Sequence, residues 1–423
     1  MHPLFGKTLA ALLLLTITYL LLRFGGHAWT SSSYGSRSVD FDTPKHADQP
    51  PCEAASSTHW SYQWERDRND HGLSSEQCNH AFPELYHELD RAVAYWSPRN
   101  ITPETIELSP RNEGGLRVLI KDQRLRVLQT KGMKRGDFRM RIMAVLHQLQ
   151  RALQGHEAAE PPFDDMEFTV VVDDWPNLPL DREATAWAFT RKSSNPNHDG
   201  VWLIPDFNFW AAPPAAGSFH DMQAEARKHD APVGKKLPQA VWRGVAWTNP
   251  DIRLALVNLT QNQPWADVKV IEWKDASNVM ALDEFCRYAY LINTEGRSWS
   301  SRLTHILNCD SVPILHDLHW VAHYYHLLQP DVNYVPVHRN FSDIEEKVQR
   351  SMHDPTAAQS VADSARQTFR ERYTTPAATA CYWRRLLRAW SRVAFRPEAF
   401  EVAERESPSS ARKARGIAFE EFV

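Results

Sequence analysis

Three arginines in the second half of the chain are suited to binding a phosphate group. Arg243, Arg253 and Arg302 lie near small or hydroxylated residues, among them Gly244 and the pair Ser300-Ser301. A guanidinium donates in parallel to two phosphate oxygens, and serine hydroxyls and free N–H groups at a helix start add further donors. Such a set suits a pyrophosphate whose charge no metal neutralises. A single arginine more often makes a surface ion pair, and Arg243 alone does not distinguish the two interpretations.

The elements around Arg302 favour the phosphate interpretation. Residues 287–315 read RYAYLINTEGRSWSSRLTHILNCDSVPIL, which predicts a strand at 288–293, a loop at 294–298, a helix at 299–307 and a strand at 311–315. In such a βαβ unit the loop after the first strand opens a helix, and open α/β sheets bind nucleotides at that place. Arg302 and its two serines are therefore predicted to belong to a nucleotide site.

The remaining pattern predicts two α/β halves. The first half contains a helix at 78–96, a strand pair at 116–120 and 125–128, a helix at 138–153, and a strand at 168–172 that ends in Asp173-Asp174. The second half contains a strand at 241–244, a helix at 250–258 and a strand at 268–273 before the βαβ unit. Helices at 357–373 and 376–393 follow, and the charged tail from Arg396 is expected to be loosely ordered.

The composition excludes several classes of protein. With 43% hydrophobic residues the chain can form large cores, and its net charge of −4 argues against a protein that mainly coats nucleic acid or an anionic membrane. The GxGxxG, P-loop, GxSxG and HExxH motifs are absent, which disfavours dinucleotide oxidoreductases, kinases, esterases and zinc proteases. The only strict Asp-x-Asp is Asp40-Phe-Asp42, and no set of residues has convincing metal-ligand spacing. No bound metal is therefore predicted.

The N-terminal residues predict a membrane-targeting segment. Residues 8–22 are apolar and uncharged between Lys7 and Arg23, and they are short beside the roughly 20 residues that cross an average bilayer. Early secretory membranes are thinner, so we expect an uncleaved type II anchor in the endoplasmic reticulum or Golgi. A signal peptide cleaved near Gly26-His27-Ala28 is the alternative. Both interpretations place the rest of the chain in an oxidising lumen, and three sequons are consistent with this: Asn100, Asn258 and Asn340.

Five short motifs occur in order between about Cys78 and Leu387. They are Asp165-Met-Glu-Phe with Asp174-Trp-Pro; Pro205-Asp-Phe-Asn-Phe-Trp210; Trp242-Arg-Gly244; the stretch from Tyr290 to Arg302 with Cys309-Asp-Ser-Val-Pro; and Cys381-Tyr-Trp. In these motifs the chain resembles glycosyltransferase family 90, the capsule-associated and protein O-glucosyltransferase-like group, and most of all its fungal branch. The resemblance implies an α/β, GT-B-like fold in which two Rossmann-like domains face each other across a cleft, preceded by the membrane anchor and a stem.

The resemblance also leads to domain bounds and a reaction. Residues 1–29 would form a short cytoplasmic end and the anchor, 30–77 a stem, 78–215 the N-terminal domain with the catalytic base, 216–375 the C-terminal UDP-sugar domain, and 376–423 a C-terminal helix and polar tail. The reaction would be an inverting transfer of xylose or glucose from a UDP-sugar, held without metal or other cofactor, to a glycan or protein hydroxyl. The rival hypothesis is a catalytically silent member that binds carbohydrate or acts as a chaperone in the lumen.

Asp174 matches the catalytic aspartate of the family. An inverting single displacement needs one carboxylate to take the proton of the acceptor hydroxyl, and Asp174 is expected at a strand end that faces the cleft. The alternative is a helix cap or an Asx-turn before Trp175-Pro176. The neighbouring Asp173 is expected to serve as a turn or cap residue, because successive side chains on an extended segment point apart.

The resemblance implies donor binding for a larger group of residues: Arg243, Gly244, Arg253, Glu295, Gly296, Ser300, Ser301 and Arg302. The arginines and serines would hold the pyrophosphate of UDP, and Glu295 would accept hydrogen bonds from ribose or sugar hydroxyls. The pattern leaves open whether Arg297 reaches the donor or solvent. Trp210 and Trp242 are candidate cleft walls, although core positions are commoner for tryptophan.

The resemblance also implies how four of the five cysteines pair. Cys286 with Cys309 and Cys78 with Cys381 match paired positions of the family and are predicted to form disulfides. Cys52 is left over in the stem, either free or bridging two chains. Five free thiols in a reducing compartment are the alternative, which the N-terminal segment disfavours.

Overall fold

Two β-sheets organise the part of the chain that the structure, a computed structural model, describes: residues 60–109, 113–155, 160–213, 216–272, 274, 276–398, 400 and 414–423. Residues from His59 to Val423 form one compact unit. The predicted anchor, residues 30–59 of the predicted stem and Cys52 lie outside the described residues. Within the described ranges, no helix combines the length and the apolar character needed to cross a bilayer.

The first sheet is mixed, with strand order β15-β2-β1-β3-β4-β6. Its strands are β1 (Gly115–Lys121), β2 (Arg124–Thr130), β3 (Met166–Val171), β4 (Trp187–Ala188), β6 (Trp202–Leu203) and β15 (Ile417–Ala418). β1 pairs antiparallel with both β2 and β3, so this half departs from the parallel order of a Rossmann-like domain. The local reason is the two-residue turn Asp122-Gln123, where both φ angles are positive, 49° and 63°. Such a turn joins antiparallel neighbours, which agrees with the strand pair predicted from sequence.

Aromatic side chains pack against the first sheet. All six residues of β3 are buried, and the ring of Phe168 on this strand stacks on Trp187 with the centroids 3.6 Å apart. The long helices α4 (Gly136–Gln154) and α10 (Pro376–Ser391) contact each other, and Trp390 of α10 meets Trp187 edge to face. This core fixes the carboxyl end of β3, where Asp174 follows.

The second sheet is parallel throughout, with strand order β10-β9-β11-β12-β14. Its strands are β9 (Leu237–Gly244), β10 (Ala266–Val270), β11 (Tyr288–Asn293), β12 (Val312–His316) and β14 (Val335–Val337). Taken in chain order this is 2-1-3-4-5, a doubly wound arrangement whose connections reverse direction between β9 and β11. Ligands of such sheets bind beyond the carboxyl ends of the strands at that point.

The predicted βαβ unit is present, with a longer loop than expected. β11 and β12 are parallel neighbours, and the helix between them, α7, covers only Arg302–Ile306. Residues 294–301 therefore form an eight-residue loop after β11. Helix α6 (Pro250–Thr260) follows β9 and begins at a proline, which suits a first helical turn because its missing N–H would have no partner there.

The short strand and helix elements that remain complete the architecture. The short strands are β5 (Arg191–Lys192), β7 (Ala211–Ala212), β8 (Gly217–Ser218) and β13 (Trp320–Val321). The helices are α1 (Trp64–Asp67), α2 (Ser75–Ala81), α3 (His87–Trp96), α5 (Phe219–Arg227), α8 (Ile344–His353), α9 (Pro355–Thr368) and α11 (Phe419–Phe422), and a π-helical turn spans Phe369–Tyr373. The helix predicted at 78–96 is thus divided into α2 and α3, with Pro83 in the gap, because proline interrupts the helical hydrogen bonds.

Both predicted ends of the folded region require correction. Leu73 is buried and its carbonyl accepts a hydrogen bond from Arg384 at 2.6 Å, so residues 60–77 are part of the folded unit and not of a stem. At the other end, residues 414–423 are not a loose tail. β15 adds to the edge of β2 and the side chain of Phe419 is buried, which covers a sheet edge that would otherwise be open.

Both predicted disulfides are confirmed. Cys78 of α2 is bonded to Cys381 of α10, which ties the first helices to the C-terminal helix. Cys286, two residues before the start of β11, is bonded to Cys309 after α7. The second bond closes the βαβ unit that carries the loop 294–301.

We expect the stability of the fold to decrease in mild acid. His323 is buried among the rings of Phe209, Tyr324 and Tyr382, and burial lowers its pKa to about 3. The unfolded chain protonates this histidine near pH 6.5 and the folded protein does not, so stability is lost as the pH falls below about 6.5. His323→Phe keeps a ring and removes the titration. Between pH 7 and pH 5 its free energy of unfolding should fall by about 2 kcal/mol less than that of the wild type, at about 1.4 kcal/mol per pH unit.

Urea unfolding at the two pH values measures this difference, and the exposed His220→Gln variant is the control. Equal pH dependence of His323→Phe and the wild type would contradict the prediction.

Candidate active site at the strand ends

A cavity of about 560 Å³ opens where the carboxyl ends of β3, β9 and β11 meet. Residues that follow these strands line it: Asp173, Asp174 and Trp175; Val245, Trp247 and Thr248; and Gly296 to Ser301. The lining is completed by Arg135, directly before α4, by Asp137, Phe138 and Arg141 of α4, and by Phe207 and Arg253. The structure therefore brings together five of the predicted site residues: Asp174, Arg253, Gly296, Ser300 and Ser301. The cavity lies at the switch point of the second sheet, where its strand order places a ligand site.

Asp174 reaches the cavity because its neighbour forms the turn. The Asp173 carboxylate accepts from the Asp174 backbone N–H through Oδ1 and from Asn177 Nδ2 through Oδ2, both at 2.7 Å. Asp173 is thus the turn residue, as predicted, and the carboxylate of Asp174 is left outside this turn. The Asp174 side chain is 29% exposed, so the carboxylate is available to a ligand.

Arg141 holds Asp174 in place, and sequence reasoning did not identify it. Its Nη1 donates at 3.0 Å both to Asp174 Oδ1 and to the carbonyl of Val172. The guanidinium also lies over the ring of Phe207, 4.9 Å from its centroid. No hydrogen bond to Asp174 Oδ2 comes from any residue that the structure describes. Arg141 lies on α4 beside the core residue Ile142, and only its charge at the edge of an apolar helix face could have marked it.

Arg253 presents a cation to the cavity without a carboxylate partner in the described structure. Its Nε donates to the Glu295 carbonyl at 3.0 Å, and its Nη1 donates to the carbonyl of Val245 at 2.7 Å and to Thr248 Oγ1 at 2.5 Å. Three neutral oxygens fix the guanidinium but leave its charge uncompensated. Burial accordingly lowers the pKa of Arg253 to about 10.

Arg302 begins α7 and is not among the residues that line the cavity. Its Nη1 is buried and has no hydrogen-bond partner, and its guanidinium lies over Phe285, 5.6 Å from the ring centroid. Burial first, and then the charge of Arg253, lower its pKa to about 9. Two neighbouring cations without a carboxylate are unfavourable alone, so this region favours an anion.

The end of β11 and the loop after it hold further polar groups without hydrogen-bond partners. The side-chain amide of Asn293 and the hydroxyl of Ser298 are buried without hydrogen-bond partners. Buried polar groups in native proteins nearly always have partners, and clusters of exceptions mark sites where a ligand supplies them. Of these groups, Arg253 and Ser298 line the cavity together with Asp174, whereas Asn293 and Arg302 lie outside its lining.

Arg297, left open by the sequence, lies at the rim of the cavity. Its guanidinium carbon is 5.0 Å from the ring centroid of Trp247 and 5.9 Å from that of Trp175. Its carbonyl accepts from Trp175 Nε1 at 3.2 Å. Arg297 therefore bridges loops that follow strands of the two sheets and is neither free in solvent nor part of the core.

Three residues of β9 that were predicted to bind the donor or line the cleft do not line the cavity. Arg243 is buried, pairs with Asp267 of the adjacent strand at 2.7 Å and does not line the cavity. Burial raises the pKa of Asp267, but hydrogen bonds from Arg243, Tyr288 and Lys269 outweigh this and hold it at about 2. Trp242 is a core residue whose Nε1 donates to Thr294 Oγ1 at 3.0 Å. A Cβ on Gly244 would lie 2.6 Å from the Trp242 ring, so glycine is needed there for packing.

Glu295 and Trp210 also lie outside the cavity. Glu295 Oε1 accepts from the backbone N–H groups of His319 and Trp320, at 2.7 and 2.8 Å, and Oε2 lies 2.8 Å from Arg339 Nη2. Its carboxylate therefore fixes the loop after β12 instead of a donor sugar. Trp210 stacks on His147 with the centroids 5.0 Å apart, and it lines a separate cavity of about 440 Å³.

The comparisons agree with the resemblance seen in the sequence. The chain matches the family model for glycosyl transferase family 90 over residues 74–417 and belongs to that family. It is 28% identical over 248 residues to protein O-glucosyltransferase 1 of Rattus norvegicus, which covers 54% of this chain and 62% of the relative. It is 24% identical over 255 residues to the O-glucosyltransferase rumi homolog of Aedes aegypti, with 55% and 63% covered. The chain thus spans less than two thirds of the length of these relatives.

Among solved structures, the C-terminal domain of a glycosyl transferase group 1 family protein (LpcC) from Francisella tularensis covers 39% of this chain at 11% identity. Its TM-score of 0.26 is too low to support an argument about the fold.

Proposed function

We propose that this protein is an inverting, metal-independent glycosyltransferase that transfers glucose or xylose from a UDP-sugar to a hydroxyl of a protein or glycan. The observation that carries the proposal is one cavity that holds a carboxylate, Asp174, from the first sheet and a guanidinium without a described carboxylate partner, Arg253, from the second. The family supports a sugar transfer, and the relatives named above are protein O-glucosyltransferases. A GT-B-like relation between the two halves belongs to the same proposal.

Asp174 is the proposed general base. In one displacement the acceptor oxygen attacks the anomeric carbon, the bond from that carbon to the UDP oxygen breaks, and the acceptor proton passes to a carboxylate. Arg141 occupies Oδ1, so Oδ2 is the oxygen proposed to take the proton. Attack from the face opposite the leaving UDP inverts the anomeric carbon.

The leaving UDP needs positive charge and hydrogen-bond donors. Arg253, Arg302 and the hydroxyls of Ser298, Ser300 and Ser301 are the proposed source, because guanidinium groups in a partly dry site stabilise developing phosphate charge strongly. In the described ranges the one set of three ligand side chains close enough to share an ion is His229, Asp283 and Glu284. None of these lines the cavity, so the proposal assigns the charge to arginines alone.

The proposed location is the lumen of the endoplasmic reticulum or Golgi, with a type II anchor before the stem. Two disulfides support an oxidising compartment, since such bonds are rare in the cytosol. The three sequon asparagines are exposed, although Asn258 lies within α6 and the Thr260 hydroxyl is bonded to the carbonyl of Leu256. Modification is therefore proposed for Asn100 and Asn340 before Asn258.

A UDP-release assay on the full-length chain tests the proposal. We expect UDP release from UDP-glucose or UDP-xylose in the presence of acceptor, and the rate should be unchanged by EDTA because arginines neutralise the pyrophosphate. Activity that is lost on chelation and restored by Mn²⁺ would contradict the metal-free assignment. If neither donor, nor any other UDP-sugar, released UDP, the second candidate would be favoured: a silent lumenal binding protein in which the ion pair with Arg141 keeps Asp174 from acting as a base.

A further inference from the structure

A second cavity lies beside the first and shares Trp175 with it. Its volume is about 390 Å³, and it is lined by residues that follow Asp174, by the segment before β6 and by β13. Its polar and aromatic lining residues are Trp175, Asn177, Asn195, Asn197, His198 and Trp320. We call this second cavity the side groove. Because Trp175 directly follows Asp174, a molecule in the side groove extends from the carboxylate proposed as the base.

The side groove is uncharged, in contrast to the arginine-rich first cavity. None of the described residues that line it carries a carboxylate, an ammonium or a guanidinium group. Its one titratable side chain is His198, whose pKa is lowered by burial and by the charge of Arg191. His198 Nδ1 accepts from the Lys192 backbone N–H at 2.9 Å, so the neutral ring keeps its proton on Nε2 as a donor. The described lining of the side groove therefore offers no opposite charge to a charged ligand.

Amide groups and indole faces make up the polar and apolar parts of the side groove. Asn177 uses its Nδ2 on Asp173, and Asn195 uses its Oδ1 to accept from the Asn197 N–H. The opposite ends of these two amides, and the whole amide of Asn197, carry no hydrogen bond to any residue described in the structure. Trp320 lies beside His198 with ring centroids 5.8 Å apart and is only partly buried. Planar amides and flat aromatic rings suit a ligand with alternating hydroxyl and C–H surfaces.

Glu295 fixes the wall of the side groove that Trp320 forms. Its carboxylate accepts from the backbone N–H of Trp320, and β13 pairs with β5 of the first half through Trp320 and Lys192. Glu295, which directly precedes Gly296 of the loop 294–301, therefore holds Trp320 in the wall of the side groove. This gives Glu295 a positioning role between the two cavities in place of the predicted contact with the donor.

We propose that the side groove is the acceptor site and that it binds a neutral sugar residue of a glycan acceptor, next to the hydroxyl that reacts at Asp174. This inference rests on the proposed function. A sugar ring stacks its C–H face on an indole and exchanges hydrogen bonds with amides, which matches the groove in both polarity and charge. The alternative occupant, a polypeptide, is one outcome of the test.

The inference is tested by measuring the binding of neutral trisaccharides to the full-length chain with saturation-transfer NMR and titration calorimetry. The three trisaccharides are maltotriose, cellotriose and mannotriose. We expect at least one to bind, and Trp320→Ala to weaken it at least tenfold, about 1.4 kcal/mol. Trp320→Phe keeps an aromatic face and should stay within about threefold of wild type. Asn197→Ala, an exposed side chain, provides a second variant with reduced binding. UDP affinity should be unchanged in all three, since neither residue lines the first cavity.

The inference is overturned if no trisaccharide binds, if binding is equal in wild type and Trp320→Ala, or if a neutral Ser/Thr-rich peptide binds instead and is lost in Trp320→Ala. These outcomes are distinct from failure of the proposed function, because binding is measured without transfer. If the protein transfers sugar but binds the trisaccharides equally well with and without Trp320, the assignment of the side groove alone is refuted. A protein that binds sugar at Trp320 but never releases UDP refutes the transferase alone.

Discussion

Asp174→Asn should lower the rate of sugar transfer by about 10²- to 10⁴-fold, the usual contribution of a general base. The amide is nearly isosteric with the carboxylate, and its carbonyl oxygen still accepts from Arg141, so the turn and the cavity are expected to keep their shape. What the variant loses is the oxygen that takes the acceptor proton. Donor affinity should change by no more than a few-fold, because Arg253 and the loop 294–301 are untouched.

Steady-state transfer rates and UDP binding, measured on the same preparation, separate these effects. Asp173→Asn is the matched control: its carboxylate bonds the Asp174 N–H and Asn177, so its loss loosens a turn and removes no base. We expect this control to retain at least about a tenth of the wild-type rate, since removing one such hydrogen bond costs only about 1 kcal/mol. Equal UDP release by wild type and Asp174→Asn would show that another group takes the proton.

The position of Asp174 could be predicted because it depends on short-range pattern. Residues 168–172 are rich in β-branched residues, which favours a short buried strand, and the two carboxylates after it are then expected at the sheet edge. The βαβ unit was recognisable for the same reason, since β11 and β12 are apolar runs separated by a loop and a short helix. The second sheet is parallel, so the carboxyl ends of β9 and β11 lie at one edge of it, where the cavity opens.

Arg243 shows what short-range pattern cannot decide. On a strand it alternates with Trp242, and the two side chains point to opposite faces. Which face meets the cavity depends on the neighbouring strand β10, where Asp267, 24 residues further along, lies opposite Val241 and pairs its carboxylate with Arg243. Arg141 was missed for the reverse reason: its partner Asp174 is 33 residues away on another element, and a helical arginine carries no motif of its own.

The folded protein holds the charged side chain of Arg302 at a cost in stability. The side chain of Arg302 makes no hydrogen bond to the described residues, and burial and Arg253 lower its pKa to about 9. At about 1.4 kcal/mol per pKa unit, keeping this group charged at pH 7 costs a few kcal/mol of folding stability. The cost is offset when an anion binds, so Arg302→Met should leave the apo protein at least as stable as wild type. The same change should weaken UDP binding by about 10- to 100-fold, because a charge-assisted contact of about 1.5–3 kcal/mol is lost.

Arg243→Met is the matched control, because it should have the opposite pattern. It leaves Asp267 partly buried beside an apolar side chain and should lower the free energy of unfolding by up to about 3–5 kcal/mol, with UDP affinity unchanged in the folded fraction. Urea unfolding without UDP measures the stability of the apo protein. The same measurement with UDP reports the affinity, since a ligand at 100 times its Kd stabilises the folded protein by about 2.7 kcal/mol. A less stable Arg302→Met protein with wild-type UDP affinity would make Arg302 a structural residue. The predicted result would instead show that the fold retains a destabilising charge because the donor's pyrophosphate compensates it.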